Sequence, residues 1–195
     1  MKYDPNKHHR RSIRLPGYDC SQSGAYFITI CAYRRQCLFG DVVDGRMVLN
    51  QYGKIIVDTY QWLCQRYPYL HTDEWIVMPN HFHAIMVIID KPRTNRDRSR
   101  RGGSRTAPTI NKQYNADTID KKRKPLGRLI GAFETVSTKK INILRDSPGT
   151  PIWQRNYYEH IIRNPDAMDK IRQYIVNNPV SWEIDRLNPI NPSKW

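Results

Sequence analysis

Much of what would place this chain in a common class is missing from it. Its four cysteines, Cys20, Cys31, Cys37 and Cys64, include no Cys-x-x-Cys pair. They do not make a zinc ribbon, and so low a count suits a reducing compartment. Long apolar runs are absent; the longest, Ala84 to Ile89, is far too short to cross a bilayer. The N-terminal stretch through Arg11 is charged and has no apolar segment, so no signal peptide is expected. A cytoplasmic protein with no membrane partner is the expectation. No internal repeat is visible. Acidic residues are scarce, 18 Asp and Glu against 32 Lys and Arg, for a formal net charge of +14. That imbalance suits a polyanionic partner, with nucleic acid as the default.

At 195 residues the chain reads as one domain over 1–195, long enough to bury a core. Three parts are set apart by composition. Residues 1–17 form a basic arm with Arg10, Arg11 and Arg14, read as extended. Residues 91–124 form a basic loop, Gly-containing and nearly without apolar residues in its first half. Such a segment buries too little surface to offset its chain entropy, so a mobile loop is expected. Residues 179–195 form a Trp- and Pro-containing tail, expected to lie on the surface or loose.

Between these parts the apolar pattern alternates between strand and helix periods. Ala25 to Tyr33 is dense in β-formers and predicts a first strand, with Arg34 and Arg35 at its end. Residues 39–49 predict a small hairpin turning at Asp44-Gly45. Ile55, Ile56, Tyr60 and Leu63 recur at helical spacing and predict a helix over 50–66, ended by Pro68. Thr72 to Met78 predicts a strand that Pro79-Asn80 turns into a second, antiparallel one. Leu129, Ile130, Phe133, Val136 and Ile141 stripe a helix over 126–144. Ile152 to Arg163 predicts the last strand, and Asn164-Pro165-Asp166 starts a final helix running to about Asn178. The expected fold is therefore α+β: a ferredoxin-like β-α-β-β-α-β core with an antiparallel sheet, a small extra hairpin and a C-terminal helix. Both core helices would cover one face and leave the other free for a site.

Two short motifs carry chemistry. In His81-Phe82-His83, positions two apart on a strand share a face, so both imidazoles point one way and Phe82 the other. Two converging imidazoles are half of a divalent-metal site, or simply two hydrogen-bonded histidines. In the final helix Met168, Ile171 and Ile175 form the apolar stripe, and Tyr174 and Asn178, four apart, stack on the neighbouring face. A phenol and an amide oxygen are thus presented together. By spacing alone, Tyr157 and Tyr158 on the last strand rival Tyr174 as a nucleophile, and His160 shares the Tyr158 face.

Taken together, His-Phe-His after Met-Pro-Asn, the block Trp153 to Asn164, and Tyr174-Ile-Val-Asn-Asn-Pro resemble the REP-associated tyrosine transposases. These are one-tyrosine members of the His-hydrophobe-His endonucleases. The resemblance runs over roughly residues 12–185 in order. It implies that Tyr174 is the nucleophile, that His81, His83 and Asn178 hold Mg²⁺ or Mn²⁺, and that the partner is single-stranded or hairpin DNA, handled by a monomer or homodimer. The implied reaction is attack on a phosphodiester to give a 5′-phosphotyrosine, followed by strand transfer. DNA contacts are expected from Arg10, Arg11, Arg14, Arg34, Arg35 and the basic loop, with Lys139 and Lys140 as further candidates. Trp153 and Tyr157 are expected to stack on unpaired bases. The basic loop at 91–124 departs from the compact family pattern. A non-catalytic nucleic-acid-binding module and a metal-dependent hydrolase using water are the alternatives.

Overall fold

The computed structural model describes residues 23–89 and 123–191. The element order is β1 (Gly24–Cys31), β2 (Gly40–Val43), β3 (Arg46–Leu49), α1 (Gln51–Arg66), β4 (Leu70–Met78), β5 (His81–Ile88), α2 (Leu126–Leu144), β6 (Tyr158–Ile162) and α3 (Pro165–Asn177). β4, β5, β1 and β6 lie side by side in that order in a four-stranded sheet. Every pairing in it is antiparallel. This is the β-α-β-β-α-β arrangement with β2–β3 as a separate hairpin.

Local chemistry sets the boundaries. The Asn50 side chain accepts from the amides of Tyr52 and Gly53 at 2.9 and 3.0 Å and starts α1. Gly53 is required there, since a Cβ would fall 2.2 Å from the Phe39 carbonyl oxygen. Asn164 starts α3 in the same way, accepting from the Ala167 amide at 2.8 Å, with Pro165 in the first turn.

The main core lies between the sheet and α1 and α2. Phe82, Ala84, Met86 and Ile88 of β5 meet Tyr26, Ile28 and Ile30 of β1 there, beneath Ile56, Tyr60 and Leu63 of α1 and Leu129, Ile130 and Phe133 of α2. Val136 is only half-buried; Ser137 takes its place, accepting from the Trp153 indole at 2.9 Å.

The second face differs from the expectation of an open surface. Ile175 of α3 is buried with Phe27, Ile85 and Ile162, and Met168 and Ile171 pack against them, so α3 roofs this face. A bidentate pair ties the helix to β4: Arg172 Nε and Nη2 donate to Asp73 at 2.6 and 2.7 Å. This pairing holds the Asp73 carboxyl below its usual range.

The last strand is also shorter than the sequence predicts. Asn156 takes a left-handed φ of 70°, which ends strand geometry, and Trp153 contributes only an isolated bridge to Ala32. Residues 179–191 are tied to the rest of the domain through Asp185 and Leu187, with a 3₁₀ turn at Trp182–Ile184. No helix among the described residues is long and apolar enough to cross a membrane. Segment 90–122 is flanked by Ile89 and Arg123, and the Arg123 guanidinium donates to the Ile89 carbonyl.

Candidate active site

The strand period places His81 and His83 together beneath α3. Their ring centroids are 4.4 Å apart, and neither ring is more than 1% exposed. Tyr174 comes down from α3, with its hydroxyl 3.3 Å from His83 Nε2 and its ring edge-on to Phe27 at 6.0 Å. The phenol is 47% exposed, so it stands between the buried imidazoles and solvent. Asn178 is buried at the C-terminal end of the same helix.

The hydrogen bonds define which atoms face the centre. The Asn80 amide nitrogen donates to the carbonyls of Leu187 at 2.7 Å and Arg35 at 3.1 Å. Carbonyls only accept, so this amide cannot be turned round. Its oxygen therefore lies against His81 Nδ1, at 2.8 Å. An amide oxygen has no proton to give, so Nδ1 carries it and His81 Nε2 is a bare lone pair. That atom is buried and has no hydrogen-bond partner. The same holds at Asn178: its amide nitrogen donates to Asp185 Oδ2 at 3.3 Å, leaving its oxygen buried without a donor. His83 Nδ1 lies 2.8 Å from the Thr29 hydroxyl.

Electrostatics keep both rings neutral. Burial pushes the His81 imidazole down to about 3, with the nearby Asn178 amide acting against the shift. Burial and then the neighbouring His81 hold His83 well below its usual value. Burial, and then the Asp185 carboxylate, raise the Tyr174 phenol, while Asn178 pulls it the other way. The hydroxyl is therefore protonated at neutral pH.

Two buried acceptors, one imidazole nitrogen and one amide oxygen, with no donor to satisfy them are a costly arrangement. A cation removes that cost. The described residues contain no cluster of three His, Cys, Asp or Glu. His81, His83 and Asn178 instead offer two neutral imidazoles and a neutral oxygen, a donor set open to a divalent ion.

Beside Tyr174 opens a cleft of about 670 Å³, lined by Arg35, Lys170, Asn178, Asp185 and Arg186 among others. A larger one of about 1010 Å³, between α2 and residues 146–156, contains none of the four convergent residues.

The other sequence-level candidates scatter. Tyr158 stands on the same sheet face as the imidazoles but lies beyond Phe27, at 6.2 Å between ring centroids. His160 is exposed. Trp153 is not placed to stack on a base: it is 8% exposed, packed against Phe39 and Phe133, and its indole nitrogen is bonded to Ser137. Tyr157 is half-buried against the main core. Arg34 is exposed, and Arg35 donates to the Arg186 carbonyl at 3.3 Å. Arg10, Arg11, Arg14 and most of the basic loop lie outside the described residues.

Asn80, Asp185 and the Leu187 carbonyl escaped the sequence reading. Their partners are up to 107 positions away, and a backbone acceptor leaves no mark on a sequence.

The chain matches no protein-family model. It superposes on the structure of a REP-associated tyrosine transposase bound to a REP hairpin with a TM-score of 0.52, at 16% identity, over 93% of this chain and 90% of that one. Its fold is thus the fold of that transposase, an α+β domain built on an antiparallel sheet. By sequence it belongs to the family of an uncharacterized protein of Haemophilus influenzae, 36% identical over 188 residues, 95% of this chain and 97% of that protein.

Proposed function

We propose that this protein is a metal-dependent transposase and single-strand DNA endonuclease in which Tyr174 is the nucleophile. The observation that carries the reading is the meeting of a solvent-reachable phenol with two neutral imidazoles, 3.3 Å from one of them, beside two buried acceptors that lack a donor. Buried imidazole nitrogens in a purely structural role are ordinarily hydrogen-bonded.

In the proposed reaction Tyr174 Oη attacks a DNA phosphorus. One P–O bond forms to the tyrosine and the P–O3′ bond breaks. The phenol loses its proton and the departing 3′ oxygen gains one. The product is a 5′-phosphotyrosine with a free 3′-OH. A phenol, with a pKa of about 10, leaves more readily than an alkoxide, so the linkage can be rejoined to another strand without ATP. His81, His83 and Asn178 would hold the cation, which when bound polarises the phosphate and offsets charge developing on the leaving oxygen.

The chain's own residues supply the rest. Phe27 packs edge-on against the Tyr174 ring and limits its swing. Arg35, Lys170 and Arg186 around the cleft favour a phosphate chain entering beside the phenol. Hairpin DNA is the proposed partner, a reading supported by the transposase of the same fold, which is bound to a REP hairpin.

The test is incubation with hairpin-bearing single-stranded DNA and Mn²⁺, followed by a denaturing gel for a covalent protein–DNA band. Tyr174→Phe is expected to reduce the band at least ~10³-fold while a gel shift persists. A band that survives Tyr174→Phe and is lost in Tyr158→Phe would overturn the assignment. A gel shift with no band in the wild type would leave only a binding module.

A further inference from the structure

Residues 182–191, expected to be a surface tail, are tied into the site and braced by their own amides. The Asn191 side chain donates to the carbonyls of Glu183 and Asp185 at 2.7 and 2.8 Å. The Asn188 side chain is buried and donates to the Trp182 carbonyl at 3.0 Å. Asp185 uses both its oxygens: Oδ1 accepts from the Leu187 amide at 2.7 Å, and Oδ2 from Asn178 Nδ2 at 3.3 Å. Two residues on, the Leu187 carbonyl accepts from Asn80. One short stretch therefore touches both halves of the site, the helix-borne amide directly and the strand-borne imidazole through Asn80.

We propose that Asp185 is a positioning residue that holds the Asn178 amide with its oxygen turned into the site, while the Leu187 carbonyl, acting through Asn80, keeps the His81 proton on Nδ1. The assignment rests on the reading of Asn178 and His81 as a cation's ligands. Without a fixed partner an asparagine amide rotates, and its NH₂ faces a cation as readily as its oxygen does. A carboxylate has no donor and accepts only from the nitrogen, so it selects one orientation. The donor set of two imidazoles and an amide is also neutral, and Asp185 sets a negative charge one bond behind the amide, raising the electron density on its oxygen. Outer partners of this kind typically govern ligand affinity by ~10- to 100-fold.

The bond suggests a reciprocal exchange. Alone, Asn178→Asp sets two carboxylates against each other. Alone, Asp185→Asn leaves one acceptor for two donors. Together they restore the pair with its hydrogen bond reversed: the amide at 185 accepts from the Leu187 N–H and donates to the carboxylate at 178. In metal-free protein each single change should lower the melting midpoint, and the double change should return it to within ~2 °C of wild type, a coupling that independent sites do not show. Mn²⁺ titration followed by the EPR of free Mn²⁺ should show Asp185→Ala weakened ~10-fold or more. The double exchange should bind at least as tightly as wild type, since a carboxylate replaces an amide as ligand.

Strictly additive melting shifts, or Asp185→Ala with unchanged Mn²⁺ affinity beside a wild type that binds, would overturn the proposal. If wild type binds no Mn²⁺, the functional reading fails, and the metal-free coupling still decides whether Asp185 orients Asn178.

Discussion

Along β5, Phe82, Ala84, Met86 and Ile88 enter the core beneath α1 and α2, while His81 and His83 alternate with them onto the face beneath α3. The first face is closed by ring packing: Phe82 lies 4.9 Å from Tyr60 and 5.1 Å from Phe133 between centroids. The second face sets buried polar groups, Thr29, the two imidazoles and Asn178, beside the apolar cluster of Phe27, Ile85, Ile162 and Ile175. Contact alone satisfies an apolar atom, so the first face asks chiefly for close packing, although the buried Tyr60 hydroxyl also lacks a partner there. A buried polar atom needs a partner of the right kind, and the second face leaves two such atoms without one. The same strand thus holds the fold together on one side and keeps an unsettled demand for charge on the other.

Three experiments separate the faces, beginning with the largest effect. Phe82→Ala opens a cavity in the first face and should lower unfolding free energy by about 3–5 kcal/mol in denaturant titration. The polar face should barely register this change in Mn²⁺ affinity; a large change there would show that the faces do not act independently. Next, Mn²⁺ at a hundred times its dissociation constant should stabilise wild type by about 2.7 kcal/mol. His81→Ala should abolish that gain, read as the loss of the Mn²⁺-dependent rise in melting midpoint. The smallest effect probes charge on the apolar side. Burial raises the carboxyl of Glu134 on α2 to about 7 from an ordinary 4.5. A raised folded value means that its contribution is fully present below about 4.5 and is lost as pH climbs through 7. Glu134→Gln should therefore be more stable than wild type at pH 8, by under about 1 kcal/mol once solvent screening is allowed for, and equal to it near pH 4.5. A difference that persists at acid pH would point to packing instead of charge.

The apolar face was the more legible of the two in the sequence. Alternation through residues 81–89 and the three-four spacing in α1 and α2 report contacts that depend only on period. The polar face was legible only where its residues lie close in sequence, as His81 with His83 and Tyr174 with Asn178 do. Asp185 looks like tail in the sequence because its meaning comes from the Asn178 and Leu187 amides that the fold brings to its carboxylate. Trp153 misled for a related reason. An aromatic beside basic residues reads as a base-stacking platform, but Ser137 and Phe39 claim both its polar and apolar parts. The left-handed turn at Asn156, which cut the last strand short, is a conformation asparagine tolerates without announcing it.

Ile89 and Arg123 meet at the end of β5 opposite His81, with eight residues of strand between the two ends. At roughly 3.3 Å per residue, that separates the junction from the imidazoles by some 20 Å or more. Loop-closure entropy rises only with the logarithm of length, so the sheet is nearly indifferent to how much chain is strung there. The domain thus has a junction at which chain length can change at little cost to the sheet and well away from the imidazoles.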